Sequence, residues 1–284
     1  MVETFRPDTL TEALEIRARC GAIPFAGGTD LMVKHRGPTG SLPKLARPVL
    51  FLDRCAELVA LADRGGTLEI GAMVTLAELA ASALVHPVLR EIVLQMAAPG
   101  LRNAATLGGN VCNASPAGDT LPFLYAFEAK ARLVSRAGAR VVAIEDLILS
   151  PGATRVRDDE LLAAILVPAW QPDAAFYRKV GTRKANALAK VSIAGFADIS
   201  EGRIVRARIA LGAVAPTVMR LRGLEAALEG ARRGDAARLA EAARSAAGEA
   251  VRPIDDQRST AEYRRRVAAG LAGLFVEKSF SLLG

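Results

Sequence analysis

Two glycine-rich segments with short polar neighbours constrain this chain more than any other feature. The first, at 25–31, reads FAGGTDL, and the second, at 106–119, reads TLGGNVCNASPAGD. In each segment a glycine pair lets backbone N–H groups approach an anion closely, and a neighbouring hydroxyl adds a donor. Neither contains GxGxxG or Gly-Lys-Ser/Thr, which excludes the Rossmann fingerprint and the P-loop. Each segment alone is typical of a tight turn, but the two together predict a cradle for a diphosphate.

Composition places the chain among folded proteins. Of its 284 residues, 51% are hydrophobic and 24% are charged, which excludes disorder and predicts about two domains. The cysteines are few and far apart, so neither a disulfide framework nor an iron–sulfur site is expected. An early acid and proline argue against a signal peptide, and the longest apolar run, 161–170, is too short to span a bilayer. We therefore expect a cytoplasmic protein without a membrane span.

The charge pattern points away from nucleic acid. The net charge is +7, but the excess is arginine scattered along the chain, with few aromatic residues to stack on bases. A phosphate-bearing small molecule or an acidic partner protein explains this charge equally well. The two histidines, His35 and His86, cannot supply a metal site alone, and no catalytic Ser-His-Asp set is readable. We expect no metal and no catalytic residue in this chain.

Local signals predict an alternation of helices and strands in the first part of the chain. A capping box at 9–12 opens the first helix, and Gly21 ends it. The loop that follows the first glycine-rich segment is marked by Pro38, Gly40 and Pro43. The other elements predicted up to Pro168 are strands at 23–26, 49–52, near 68–70 and at 159–168, helices opened by the capping box 75–78 and by Pro87, an apolar stretch at 121–127, and a hairpin of 131–135 with 140–144.

A second region begins near residue 170. Strands are predicted at 176–180, 191–199 and 203–211, the last two forming a hairpin. The alanine- and arginine-rich stretch 226–250 is interpreted as a solvated helical surface. A capping box at 259–262 opens the closing helix, and the run 262–266 is interpreted as a solvated helix face or a contact with a partner protein.

The sequence of these segments resembles that of the FAD-binding medium subunit of the molybdenum hydroxylases, the family of CO dehydrogenase and xanthine dehydrogenase. The similarity covers nearly the whole chain. Residues 23–31 resemble the first FAD motif of the family, and 102–110 with 115–119 resemble the second. Residues 176–184, 189–191 and 262–265 resemble the family's C-terminal domain. No clustered cysteines occur, so the branch that reduces hydroxybenzoyl-CoA with an extra iron–sulfur cluster is not indicated.

The resemblance implies an α+β fold. A two-subdomain FAD-binding domain like that of vanillyl-alcohol oxidase (PCMH type) would occupy 1–172, with subdomains at about 1–55 and 56–172. A smaller C-terminal domain of antiparallel sheet and helices would occupy 173–284. The flavin would lie between the two subdomains, with the C-terminal domain closing over its ring.

The resemblance also implies site residues. The diphosphate would be held by Phe25, Ala26, Gly27, Gly28, Thr29, Asp30, Thr106, Gly109 and Asn110. Ser115 would lie near it, and Ala97 and Leu162 would border the cofactor. Asp119 would accept hydrogen bonds from ribityl or ribose hydroxyls, because both carboxylate oxygens are acceptors. Lys179 either approaches the flavin ring, where a cation stabilises negative charge, or is an ordinary solvated lysine at a strand end; both interpretations stay open.

The function implied is an electron relay. Non-covalent FAD in this chain would pass electrons from the 2Fe-2S clusters of a small subunit to an external acceptor, while a molybdopterin-binding large subunit hydroxylates the substrate, in a dimer of heterotrimers. One alternative is a self-sufficient FAD-dependent oxidoreductase, and another is a nucleotide-binding regulatory module. Cys112 is either a covalent flavin anchor or a small buried filler, and the second interpretation is preferred because free cysteine packs as a small hydrophobe.

Overall fold

The computed structural model describes residues 2–38, 44–183 and 186–282. Of the features named above, Gly40, Pro43 and the end of the 176–184 motif lie outside the described residues. The chain folds into two compact units. Unit 1 comprises Met1–His86, Ala97–Ala114 and Ala129–Ala169. Unit 2 comprises Pro87–Met96, Ser115–Glu128 and Trp170–Gly284.

Both units contain β-strands. In chain order they are β1 (Thr4–Phe5), β2 (Ile23–Phe25), β3 (Val49–Phe51), β4 (Leu61–Asp63), β5 (Thr67–Gly71), β6 (Lys130–Ser135), β7 (Gly138–Ala143), β8 (Ile148–Ser150), β9 (Ala153–Thr154), β10 (Leu161–Pro168), β11 (Ala174–Val180), β12 (Val191–Ser200), β13 (Arg203–Gly212) and β14 (Met219–Arg220).

The helices are mostly short in unit 1 and longer in unit 2. They are α1 (Leu10–Cys20), α2 (Leu31–Lys34), α3 (Leu76–Ala81), α4 (Pro87–Leu94), α5 (Pro99–Arg102), α6 (Leu107–Asn113), α7 (Leu121–Ala126), α8 (Ile144–Leu147), α9 (Arg222–Leu228), α10 (Ala236–Ala250) and α11 (Ala261–Phe280). Single 3-10 turns occupy Ala56–Leu58 and Arg233–Asp235. Within the described residues, none of the helices combines the length and the apolar character that a bilayer crossing requires.

Unit 1 is built on two sheets. A parallel sheet has the order β1-β3-β2, and an antiparallel sheet has the order β4-β5-β10-β6-β7, while β8 and β9 form a small ribbon. Strand β10 is the central strand of the larger sheet and is buried from Leu161 to Ala164 on both faces. Its unbroken apolar run is therefore explained by burial, since a strand covered on both faces has no solvent-facing side that requires polar residues. The predicted α+β class is confirmed.

Helix α1 supplies one wall of the unit 1 core. Its start follows the predicted cap, because the Thr9 hydroxyl accepts a hydrogen bond from the N–H of Glu12, and its end follows the predicted stop, because Gly21 has φ +59°. The buried core around this helix contains Ala13, Leu14, Ile16, Leu50, Leu52, Leu58, Met73, Leu161 and Ala163. The helix thus packs residues of β3 and β10 into one core.

Unit 2 is an antiparallel sheet, β11-β12-β13-β14, covered on one face by helices α9, α10 and α11. Gly195 of β12 is required there, since a Cβ would lie 2.5 Å from the ring of Phe275 on α11. The interpretation of 226–250 as a solvated surface is only half right. Leu239, Ala243 and Ala247 of α10 are buried in the core against α11, because small alanine side chains let the two helices approach closely.

The other face of this sheet carries aromatic side chains. Phe196 of β12 makes edge-to-face contacts with Phe123 and Phe127, at centroid distances of 5.9 and 4.9 Å. Trp170 joins the cluster and donates its indole N–H to Asp198 at 2.7 Å. These contacts hold α7 against the sheet and leave the edge strand β11 to pack against α4.

Two details of the closing helix differ from the sequence predictions. The N-cap of α11 is Thr260, whose hydroxyl accepts from the N–H of Tyr263, and not Ser259. Arg264 lies in the run 262–266, yet it is buried and donates to the carbonyls of Lys190 and Ala213. The interpretation of this run as a solvated face or a partner contact is therefore wrong at Arg264, because its guanidinium satisfies buried carbonyls of unit 2.

Glu160 in unit 1 yields a test of the fold. Its carboxylate accepts from Arg140 at 2.6 and 2.8 Å and from the N–H of Arg157 at 2.8 Å. The hydrogen bond from Arg140 is the main reason that the pKa of Glu160 lies below its ordinary value of 4.5. A lowered pKa means that the unfolded state binds the proton more tightly, so this stabilisation is complete above pH 4.5 and is lost as the pH falls through the folded-state pKa.

We therefore expect Glu160→Gln to lower the free energy of unfolding by about 1.5–3 kcal/mol at pH 7, the usual worth of hydrogen bonds to a charged group. The difference from wild type should shrink as the pH falls below 4.5. Urea denaturation at a series of pH values measures both effects. Asp159→Asn, at the exposed neighbouring carboxylate, is the matched control. A difference that stays constant with pH would contradict the assignment of the lowered pKa.

Candidate functional site

The first glycine-rich segment connects β2 to α2, and neither of its glycines has room for a side chain. A Cβ on Gly27 would lie 1.8 Å from the carbonyl oxygen of Ala104. Gly28 has φ +66°, and a Cβ there would lie 2.2 Å from the ring of its neighbour Phe25. Both positions therefore require glycine, the first for close backbone contact and the second also for its left-handed conformation.

The second segment runs through the start of α6. The Thr106 hydroxyl caps this helix by accepting from the N–H of Gly109 at 3.0 Å. The two glycines face opposite ways. A Cβ on Gly108 would lie 2.6 Å from the carbonyl oxygen of Ala72, whereas a Cβ on Gly109 would meet only Thr106 Oγ1 at 3.0 Å and the Cβ of Ala26 at 3.9 Å.

The two segments therefore meet in unit 1, as the sequence predicted. Gly27 lies against Ala104, directly before the second segment, and Gly109 turns its open side towards Ala26. We call the residues 25–30 and 106–110 the glycine cradle. Only Gly109 of the second pair lines it, because Gly108 is used for packing. The two glycines of the second segment therefore have different roles.

A side-chain network that the sequence did not reveal joins the two segments. Asn113, at the end of α6, donates to Asp30 at 2.6 Å and accepts from the ammonium group of Lys34. Asp30 ends the first segment and Lys34 lies in α2. The amide of Asn113 therefore ties both segments together. The only signal in the sequence is an amide three residues after Asn110, which is too common a pattern to predict a contact.

Two further predicted residues lie in unit 1 but differ in environment. Ala97 has φ +46°, a conformation that non-glycine residues rarely adopt, and its carbonyl accepts from Arg102 at 2.9 Å. Leu162 is buried in β10, next to a β-bulge between Leu162 and Ala164. Bulges and strained backbone are both common where a protein positions a ligand.

In unit 2 the structure brings together Asp119 and Lys179. The ammonium group of Lys179 donates to Asp119 Oδ2, and both side chains are more than 90% buried. Lys179 also approaches the carbonyl oxygen of Gln95 at 3.4 Å. The interpretation of Lys179 as a solvated lysine at a strand end is wrong, because the carboxylate pairing keeps the ammonium group inside. Ser115, also in unit 2, uses its hydroxyl locally and accepts from the N–H of Ala117 at 3.3 Å.

The ion pair is incomplete on the carboxylate side. Asp119 Oδ1 is buried and accepts no hydrogen bond from the residues that the structure describes. Burial raises the pKa of Asp119, and the charge of Lys179 opposes that rise. A second buried pair in the same unit, Arg220 with Glu225, is complete: both carboxylate oxygens accept from Arg220 at 2.6 Å, and one also accepts from the N–H of Ile209. An unpaired buried acceptor is costly, so Asp119 Oδ1 is the natural place for an added donor.

The position of Cys112 differs from the one expected from the sequence. It lies on α6 and is exposed rather than a buried filler, because α6 turns Leu107, Gly108 and Val111 into the core instead. In the part of the chain that the structure describes, no three His, Cys, Asp or Glu side chains are grouped closely enough to hold a metal ion.

Comparison with known proteins matches both the first and the second part of the chain. A family model described as the FAD binding domain in molybdopterin dehydrogenase matches residues 1–170. A second, described as the CO dehydrogenase flavoprotein C-terminal domain, matches residues 175–279. The solved structure of carbon monoxide dehydrogenase from Hydrogenophaga pseudoflava, in a form lacking the Mo-pyranopterin moiety, is similar with a TM-score of 0.90 and 27% identity, over 100% of this chain and 98% of that chain.

Curated relatives agree with the structural match. The chain is 29% identical to the carbon monoxide dehydrogenase medium chain of Afipia carboxidovorans, over 96% of this chain and 95% of that protein. It is 28% identical to the xanthine dehydrogenase FAD-binding subunit of Escherichia coli O157:H7, over 78% of this chain and 76% of that protein. The fold implied by the resemblance, an FAD-binding domain followed by an antiparallel-sheet domain, is confirmed.

The geometry of the glycine cradle separates glycines that are needed for packing from Gly109, which has an open side. Gly27→Ala should lower the free energy of unfolding by about 3 kcal/mol, because its Cβ meets a backbone oxygen that cannot move aside. Gly109→Ala should leave the unfolding temperature nearly unchanged but weaken FAD binding by about 1–3 kcal/mol, about 5- to 150-fold, because its methyl group occupies the open side of the cradle. Thermal unfolding and flavin fluorescence titration measure the two effects. Wild-type FAD affinity in Gly109→Ala would show that the diphosphate does not lie there.

Proposed function

The chain belongs to the family of FAD-binding subunits of molybdenum hydroxylases, and we propose that it relays electrons from the 2Fe-2S clusters of a partner subunit to an external acceptor. The observation that carries this proposal is the glycine cradle in a chain whose fold matches the medium chain of carbon monoxide dehydrogenase over its full length. Like its relatives, this chain is an oxidoreductase subunit.

Two features of the structure fit FAD. The cradle leaves the open side of Gly109 without a side chain and contains Gly28 in a left-handed conformation, which suits a diphosphate that must approach N–H groups closely. Asp119 Oδ1 is a buried acceptor without a donor, which suits a cofactor rich in hydroxyl groups. Bound FAD would supply the redox chemistry itself, since flavins transfer electrons as pairs or singly.

We assign the residues of the cradle to the diphosphate. Gly28 and Gly109 would present backbone rather than side chains to it. Thr106 Oγ1 accepts from the N–H of Gly109, so its hydroxyl hydrogen stays available for a phosphate oxygen. The Asn113 network would hold the two segments at a fixed separation. The remaining members proposed here are Phe25, Ala26, Gly27, Thr29, Asp30 and Asn110.

We assign the residues of unit 2 to the flavin half of the cofactor. Asp119 would accept hydrogen bonds from ribityl or ribose hydroxyls with its unpaired oxygen. Lys179 would place its charge near the flavin ring, where it stabilises added negative charge. Because Asp119 already neutralises part of that charge, the pair would act as one unit. Ser115 is proposed to lie near the diphosphate, and Ala97 and Leu162 of unit 1 are proposed to border the cofactor.

The domain boundary is proposed at 172/173, with subdomains at about 1–55 and 56–172. The two family models support it, because they meet between residues 170 and 175. The compact units divide the chain differently: Pro87–Met96 and Ser115–Glu128 pack with the C-terminal part. These two segments carry Gln95 and Asp119, the partners of Lys179. Their packing with the C-terminal part therefore brings these partners to Lys179.

The partners proposed are a molybdopterin-binding large subunit and a small subunit with 2Fe-2S clusters, assembled as a dimer of heterotrimers. The support is the similarity to medium chains and FAD-binding subunits of enzymes named carbon monoxide dehydrogenase and xanthine dehydrogenase. The substrate would be determined by the large subunit and not by this chain.

The first test concerns the attachment of the flavin. No histidine occupies either glycine-rich segment, so we expect FAD to be bound without a covalent bond and to be released completely into the supernatant on acid precipitation. Absorbance of supernatant and pellet measures this. Flavin that stays with the pellet would contradict the prediction, and its loss in Cys112→Ser would identify the exposed thiol as the anchor.

The second test separates the relay from a self-sufficient oxidoreductase. The FAD-loaded chain alone should keep its flavin absorbance under anaerobic conditions when aldehydes or N-heterocycles are added. Bleaching should follow only when the molybdenum-bearing and cluster-bearing partners are added with their substrate, since electrons then have a source. The flavin-free chain with the same partners is the control. Bleaching of the chain alone would establish the self-sufficient oxidoreductase.

A further inference from the structure

Tyr177 on β11 is a buried side chain that neither the sequence nor the function proposed above assigns. Its hydroxyl group is buried, and in the described part of the chain it has no hydrogen-bond partner. A buried phenol hydroxyl normally finds an acceptor, and each exception in a folded protein calls for an explanation. The ring itself is well enclosed, at 4% exposure, so its hydroxyl is not satisfied by bulk water.

The strand places this hydroxyl on the face of unit 2 that carries Lys179. Successive residues of a strand point to opposite faces. Phe176 lies in the core beneath α11, and the Arg178 guanidinium lies over its ring. Tyr177 and Lys179 therefore share the opposite face, where their cross-strand neighbours are Ala194 and Ser192 of β12.

Asp119 lies close to both residues. It accepts from Lys179 through Oδ2, and its charge is one of the causes that raise the pKa of Tyr177, after burial and ahead of the charge of Glu91. The phenol is thus held protonated and remains a donor. The same small region of unit 2 contains one donor without an acceptor, Tyr177 Oη, and one acceptor without a donor, Asp119 Oδ1.

Resting on the FAD-binding function proposed above, we propose that Tyr177 is a further cofactor-binding residue, which donates its hydroxyl to the ribityl chain of the flavin beside Asp119. A hydroxyl group is both donor and acceptor, so a polyol can accept from Tyr177 and donate to Asp119. A diphosphate would not satisfy both atoms, because its ionised oxygens cannot donate to the carboxylate. We therefore place the Tyr177 hydroxyl beside the ribityl chain, and a contact with the ribose of the adenosine diphosphate half is the alternative that ADP binding tests.

The test compares full-length wild type, Tyr177→Phe and Tyr263→Phe after removal of flavin. Tyr263→Phe is the matched control, since it removes a phenol hydroxyl from α11. FAD and ADP are titrated separately, the second by displacement of FAD. Tyr177→Phe should raise the dissociation constant for FAD about 3- to 10-fold, the worth of one hydrogen bond, and leave that for ADP unchanged, because ADP lacks the ribityl chain. Tyr263→Phe should change neither.

Thermal unfolding of the flavin-free proteins distinguishes a binding role from a purely structural one. Loss of a structural hydrogen bond would lower the unfolding temperature. Tyr177→Phe removes an unpaired buried hydroxyl, so its flavin-free form should unfold at the wild-type temperature or above it. Wild-type FAD affinity in Tyr177→Phe overturns this inference alone. An equal loss of FAD and ADP affinity, or a lowered unfolding temperature with unchanged FAD affinity, overturns it too. Failure of the wild-type chain to bind FAD overturns the proposed function.

Discussion

The contact between the backbone of Gly27 and that of Ala104 is the constraint on which the glycine cradle depends. A Cβ on Gly27 would lie 1.8 Å from the oxygen of Ala104, so the end of β2 rests directly on the segment that leads into α6. That segment is itself fixed to its other neighbour, since Leu76 donates to the carbonyl of Ala105 and Leu107 donates to that of Val74. Three stretches of backbone are thus stacked on one another.

The stacking explains why each segment carries a glycine pair. One glycine of each pair allows the backbone contact, Gly27 against Ala104 and Gly108 against Ala72. The second glycine, Gly28 or Gly109, follows directly and is left to shape the cradle. A single glycine would serve only one of these purposes. Close packing of polar backbone also keeps N–H groups in place without side chains, which is what a diphosphate site requires.

Sequence reasoning succeeded where the signal lies within a few residues. The caps at Thr9 and Thr75 form as predicted, because the hydroxyl and the N–H it binds are three positions apart. The cap of α11 was misassigned by one residue. Thr260 and Ser259 offer the same hydroxyl chemistry, and the choice is made by Asp256, which accepts from the N–H of Ser259 and holds it in a turn.

What the sequence could not provide are contacts between distant residues. Lys179 and Asp119 are 60 positions apart, and neither has a local pattern that distinguishes it from a solvated side chain. Cys112 was misjudged because the exposed side of α6 depends on which face packs inwards, and a seven-residue helix has too little periodicity to decide. Tyr177 was missed for a related reason: its importance lies in a hydrogen bond that the chain does not complete.

Three strained backbone residues lie where the chain passes from one unit to the other. Ala97, Ala114 and Glu128 have φ between +46° and +51°, and each is the first or last residue of a segment where the chain passes from one unit to the other. A left-handed conformation costs a non-glycine residue about 1–2 kcal/mol, so it persists only where other contacts impose it. The carbonyls of Ala97 and Ala114 are held by Arg102 and by the N–H of Gly152. The segments 87–96 and 115–128, which bring Gln95 and Asp119 to Lys179, therefore adjoin or end at backbone held in a strained conformation.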